Sequence, residues 1–217
     1  MNRETLIENT LVYVKDFFKD DYSGHDYYHT LRVYKMAKKI GEQEKVDMEL
    51  VLLSALLHDV DDYKLVSPST EPFYHAKTFL RTQNLPEERI SKICHIISQI
   101  SFKGDATITP DTIEGQVVQD ADRLDALGAI AIARVFAYGG SHNRPIYIPE
   151  LETNSSISAK EYTDISRKTS SIHHFYEKLL TLKDLMNTKT AKEIAIHRHA
   201  YIEGFLEEFF NEWNGLV

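Results

Sequence analysis

The stretch Asp47-Met48-Glu49-Leu50-Val51-Leu52-Leu53-Ser54-Ala55-Leu56-Leu57-His58-Asp59 decides how this chain reads. Asp47 is a good helix N-cap, because its short carboxylate can take the free N–H groups of a first turn. The run from Leu50 to Leu57 is apolar on nearly every side, so the helix it forms belongs in the interior. Where that pattern stops, an imidazole and a carboxylate stand side by side, His58 and Asp59. A helix C-terminus and a following turn would account for those two residues alone. They would not account for two further polar islands. Upstream, His25-Asp26-Tyr27-Tyr28-His29-Thr30-Leu31-Arg32-Val33 offers two imidazoles; downstream, Gln119-Asp120-Ala121-Asp122-Arg123-Leu124-Asp125 offers three carboxylates in an apolar stretch. Two His and two Asp from three separated segments make a mixed nitrogen and oxygen donor set. Such a set suits a divalent cation that keeps positions open for water and substrate.

Working outward, the hydrophobic spacing predicts an all-α chain of about eight helices. Leu6, Leu11, Val14 and Phe17-Phe18 give an opening helix to about Lys19, and Leu31, Val33-Tyr34, Ala37 and Ile40 give a second. The third is Met48 to about His58, the fourth runs from near Pro72 to Gln83, and Pro86 with Glu87-Glu88 starts a fifth through Ile100. Pro110-Asp111 opens a sixth expected to continue through Asp122 to Tyr138, stopped by Gly139-Gly140. Two more are expected over Ser166 to Met186 and Thr188 to Trp213, with Thr188 as cap. The long irregular stretch after residue 138, to about Thr163, reads as a functional or disordered loop and not as a linker. One domain over 1–217 is therefore expected.

Composition excludes several classes. The chain has 217 residues, enough for a substantial core, and its hydrophobic and charged fractions, 42% and 27%, match an ordinary soluble protein. No segment approaches the roughly eighteen uninterrupted apolar residues of a membrane helix, and Met1 to Thr5 carries no apolar signal region, so cytoplasm is the expected address. Cys94 is the one cysteine, which excludes an internal disulfide and a thiolate-rich zinc site. A net charge of −8 argues against a binder of nucleic-acid polymers.

In detail, His29-Thr30-Leu31-Arg32-Val33, the pair His58-Asp59 ending an apolar helix, and Ala121-Asp122-Arg123-Leu124 resemble, in order and context, the HD-domain superfamily of metal-dependent phosphohydrolases. The segments Gln119 to Ile130 and His174-Phe175-Tyr176-Glu177-Lys178-Leu179-Leu180 look like its small single-domain bacterial branch. The resemblance covers almost the whole chain and implies a helical HD-domain bundle. It implies His29, His58, Asp59 and Asp122 as metal ligands, with Asp59 also part of the catalytic centre. Similar enzymes place an acidic residue three or four positions after the His of the pair. That implies Asp62 as the general base or water-orienting group, with Asp61 the alternative and a solvated charge the better reading of Asp61. Members of this branch hydrolyse nucleotides, so a nucleotide substrate is implied, with pyrophosphate released from a nucleoside triphosphate.

The other residues carry weaker signals. Lys64, His25, Arg144 and Lys178 are the candidate phosphate contacts, and His25 reads equally well as a residue preceding a helix cap. For Asp122, a salt bridge to Arg123 or Arg134 is the competing way to offset burial. Asp125 would support a ligand, Asp120 would be structural, and His95 would join only a second metal, where one is expected. Mn²⁺ suits two imidazoles and two carboxylates best, with Fe²⁺, Co²⁺, Ni²⁺ and Zn²⁺ permitted and Mg²⁺ fitting less well. The aromatic run Phe205, Phe209-Phe210 and Trp213 reads as core or as a homodimer face. A 5′-monophosphatase, a cyclic-nucleotide phosphodiesterase, and a non-enzymatic nucleotide- or metal-sensing domain are the alternatives kept open.

Overall fold

The computed structural model describes residues 2–19, 26–62, 71–102, 107–152 and 167–217. Among them are nine α-helices and one 3-10 helix, with no strand. Helix α1 spans Arg3–Phe17, α2 Tyr27–Glu44, α3 Met48–Leu57, α4 Tyr74–Thr82 and α5 Glu87–Ser98. Helices α6 (Ile113–Asp125) and α7 (Ala129–Ser141) follow, then α8 (Ser171–Glu177), the 3-10 helix Leu179–Leu185 and α9 (Lys189–Trp213). The chain forms two compact units, one of Met1–Ser101 with Ile108–Asp122, the other of Phe102–Thr107 with Arg123–Val217.

Helix α3 is the axis of the first unit. Asp47 Oδ1 accepts the N–H groups of Glu49 and Leu50 at 3.1 and 3.3 Å, and every residue from Leu50 to Leu57 is buried. A helix apolar all round must be surrounded, and α1, α2 and α5 pack against it. Each fully buried Leu or Ile in that packing is worth about 1.5–3 kcal/mol of transfer free energy. Helix α2 starts on Asp26, whose Oδ1 accepts the His29 N–H at 2.7 Å, so the cap fixes the first turn at the very residue that carries the imidazole.

Two expected helices are each divided. The helix expected from Pro110 to Tyr138 begins at Ile113 and breaks between Asp125 and Ala129. Gly128 sits there at φ 83, and a Cβ on it would meet Arg198 Cγ at 3.3 Å. Gly139 and Gly140 do not stop α7, which runs to Ser141. A Cβ at Gly139 would clash with Ser171 Oγ, so this glycine serves close packing of α7 on α8. The irregular stretch therefore starts at His142, and its residues 153–166 lie outside the described residues. The helix expected over 166–186 is the short α8 followed by the 3-10 helix, parted at Lys178 with φ −138. In α9, Thr188 caps as expected, accepting the Ala191 N–H at 3.2 Å. Phe205 packs against Phe136 and Phe175, while Trp213 is half exposed. No helix among the described residues is long and apolar enough to cross a membrane.

Candidate metal centre

The first unit brings four donor side chains together. Helix α2 supplies His29 from its first turn, the end of α3 supplies His58 and Asp59, and α6 supplies Asp122. His29 Nε2 lies 3.4 Å from Asp59 Oδ2 and 3.4 Å from Asp122 Oδ1; His58 Nε2 lies 3.3 and 3.8 Å from the same two oxygens. The donor atoms of His29, His58 and Asp59 all fall within 4.8 Å of one another. Ligands about 2.0–2.2 Å from one ion stand roughly 2.8–3.8 Å apart at angles of about 90–120°, so these separations suit a shared cation. His29, His58 and Asp59 are buried, whereas the Asp122 side chain is 28% exposed and marks the open side.

Orientation is built into the local fold. His58 Nδ1 is 2.9 Å from the Ala55 carbonyl, an acceptor only, which assigns the ring proton of neutral His58 to Nδ1. Its Nε2 lone pair then faces the two carboxylates, buried and without a hydrogen bond of its own. Backbone carbonyls hold metal-ligating imidazoles in this way. The electrostatics agree. Burial alone would pull the His58 imidazole down, but Asp59 and then Asp122 more than offset it and hold it above its ordinary value. Burial would raise the Asp122 carboxyl, and the His29 hydrogen bond with the charges of His58 and His29 holds it below the usual range. The centre thus draws positive charge, and its nitrogen and oxygen donors fit a divalent cation.

The remaining candidates fall in different places. Asp62 is half-buried at the end of the turn after α3, its N–H donating to Asp59 O at 3.1 Å. Asp61 is not the solvated charge expected of it. Its two oxygens accept the N–H groups of His75 and Ala76, each at 2.9 Å, at the start of α4. His25 and Lys64 lie outside the described residues. Arg144 and Lys178 belong to the second unit, Arg144 over the Tyr138 ring at 5.5 Å and Lys178 over Phe102 at 5.0 Å. Both act on His174: burial, then the charges of Lys178, Arg144 and Arg167, push its imidazole down to about 3, leaving it neutral. Asp125 pairs with Arg134 at 2.6 Å, Arg123 donates to the Leu185 carbonyl, and Asp120 is fully buried. His95 turns its Nε2 to Asp111 at 2.9 Å on the surface. Sequence reasoning missed the Ala55 carbonyl and the reach of Asp61. Neither had a signal in the sequence, since the start of α4 after Phe73, whose side chain makes no capping bond, is seen only in the fold.

Helical fold and converging His and Asp donors define a class, and comparison with known proteins agrees. The family model described as HD domain matches residues 26–127. The Bacillus subtilis protein YpgQ is 36% identical over 214 residues, covering 96% of this chain and 94% of YpgQ. The crystal structure of an HD-superfamily hydrolase from Bacillus thuringiensis superimposes with TM-score 0.76 at 42% identity, over 98% of this chain and 99% of that one. The crystal structure of Bacillus subtilis YpgQ in complex with ADP matches with TM-score 0.77 at 33% identity, over 97% of this chain and all (100%) of that one. This chain belongs to the HD-domain superfamily of metal-dependent phosphohydrolases.

Proposed function

We propose that the protein hydrolyses nucleoside triphosphates, ribo or deoxy, to the monophosphate and pyrophosphate, with one divalent cation held by His29, His58, Asp59 and Asp122. The convergence of these four donors around one point, open on the Asp122 side, carries the reading. ADP bound to the relative YpgQ supports a nucleotide ligand. Two imidazoles with two carboxylates favour Mn²⁺ over Mg²⁺, which prefers oxygen donors and retained waters.

When bound, such a cation would offset charge on a phosphate oxygen and lower the pKa of a water towards about 7. Asp62 takes the proton of the attacking water or holds that water in line with the α-phosphorus. His29 and His58 direct their Nε2 atoms toward the carboxylates of Asp59 and Asp122, where they would hold the cation. Lys64 and His25 are the groups proposed to hold the phosphates, whose binding orients the reacting phosphorus.

Incubation with dATP and Mn²⁺ in ¹⁸O-labelled water tests this reading. Pyrophosphate and labelled dAMP are the expected products. Label found only in released orthophosphate would replace the pyrophosphohydrolase with a phosphatase.

A further inference from the structure

The turn that follows α3 is held at more points than a chain reversal requires. Leu57 O accepts the Val60 N–H at 3.3 Å and Asp59 O accepts the Asp62 N–H at 3.1 Å. Val60 is fully buried between them. Asp61 then reaches 14 and 15 residues along the chain, Oδ1 to the N–H of His75 and Oδ2 to that of Ala76, each at 2.9 Å. These are the second and third N–H groups of α4, the ones a capping side chain ordinarily takes. Phe73, the residue before α4, stands at φ 60 and supplies no side-chain bond. One carboxylate on the turn therefore completes the cap of a remote helix.

The anchor is firm. Ala76, Phe79 and Leu80 seat α4 in the core, and the Tyr13 ring of α1 stacks on Phe79 at 4.2 Å. Burial, with the Asp61 charge second, pushes the Tyr13 hydroxyl up to about 12. Elsewhere Asp26, Asp47 and Thr188 cap the helices that begin directly after them. Only for α4, among the described helices whose cap is a side chain, does the acceptor come from the turn between Asp59 and Asp62. A side chain bound through both oxygens fixes its own backbone, and with it the neighbouring peptides.

We propose that Asp61 is a positioning residue for the hydrolytic site: its clamp on α4 sets the direction in which Asp59 enters the cation site and Asp62 meets the attacking water. This rests on the function proposed above for Asp59 and Asp62. Asp61 acts through those neighbours and takes no part in the chemistry.

Three variants test it. Asp61→Asn keeps the shape and one acceptor but turns an NH₂ group towards the other helix N–H. Asp61→Glu keeps both oxygens and displaces them. Thr78→Gly weakens α4 at an exposed position without touching the turn. Mn²⁺ affinity by calorimetry, melting temperature, and kcat and KM for dATP at saturating Mn²⁺ are measured for each. Asp61→Asn should weaken Mn²⁺ binding about tenfold or more and lower kcat about tenfold or more, with KM within about twofold. Asp61→Glu should fall in the same direction, and Thr78→Gly should lower the melting temperature while leaving kcat and Mn²⁺ affinity unchanged. An Asp61→Asn protein that melts earlier yet keeps the parent's kcat and Mn²⁺ affinity would overturn the proposal, leaving Asp61 as a cap of α4 alone. Failure of both Asp61 variants to fold would overturn it equally, because the residue would then be structural. A parent protein that hydrolyses no nucleotide would sink the proposed function, while the Mn²⁺ arm would still decide the role of Asp61.

Discussion

The Ala55 carbonyl, 2.9 Å from His58 Nδ1, leaves a single neutral tautomer to a ring whose other nitrogen faces Asp59 and Asp122. Two carboxylates and two imidazoles this close, three of them buried, are costly unless positive charge sits among them. That cost made Asp122 stand out in the sequence, since it sits in an apolar stretch, whereas His58 and Asp59 alone could have been a helix end and turn and drew meaning from His29 and Asp122 together. Asp61 was not legible in the same way, because its partners are 14 and 15 residues distant and its neighbours Asp59 and Asp62 resemble it chemically. The separable roles give a prediction. His58→Ala or Asp122→Ala removes a donor and should lower bound metal and turnover together. Asp62→Asn keeps the size and removes the proton acceptor, so it should retain Mn²⁺ binding while kcat falls about 10²–10⁴-fold. Full activity of Asp62→Asn at saturating Mn²⁺ would show that another group handles the proton.

Among the elements, α1 to α5 and α9 could be read closely because each has a periodic apolar face or a cap residue beside it. Asn2 was an unnoticed cap for α1, accepting the Thr5 N–H at 2.8 Å. The division between α6 and α7 escaped the periodicity because Leu124, Leu127 and Ala131 are all buried, so the apolar pattern continues across the break. Tertiary contact accompanies it: Arg198 lies against Gly128 and donates to the Leu124 carbonyl, which also accepts the Leu127 N–H at 3.1 Å just past the helix end. Gly128 has φ 83 and ψ −160, a region essentially confined to glycine. Gly128→Ala should therefore cost about 1–3 kcal/mol and lower the melting temperature by roughly 2–4 °C per kcal/mol. An unchanged melting temperature would mean that the backbone at this break can relax at little cost.

For the whole molecule, the fold class was legible from helical spacing alone, whereas the division into two compact units was not. The boundary falls inside α6, between Asp122 and Arg123, where sequence composition does not change. We propose that residues 1–217 nonetheless act as one functional domain, since the solved relatives match over almost their full lengths. The weakest sequence signals, the phosphate contacts, also come from scattered positions: Lys64 and His25 outside the described residues, Arg144 and Lys178 in the second unit. No spacing rule connects such residues, because a phosphate contact needs only a cation and carries no fixed sequence interval. The cation site can be tested more directly than any of these. Crystals grown or soaked with Mn²⁺ should give an anomalous difference peak, measured at the manganese absorption edge, within about 2.0–2.3 Å of His29, His58, Asp59 and Asp122 together. A peak elsewhere, or none at this point with saturating Mn²⁺, would contradict the assignment of these four residues as the metal centre.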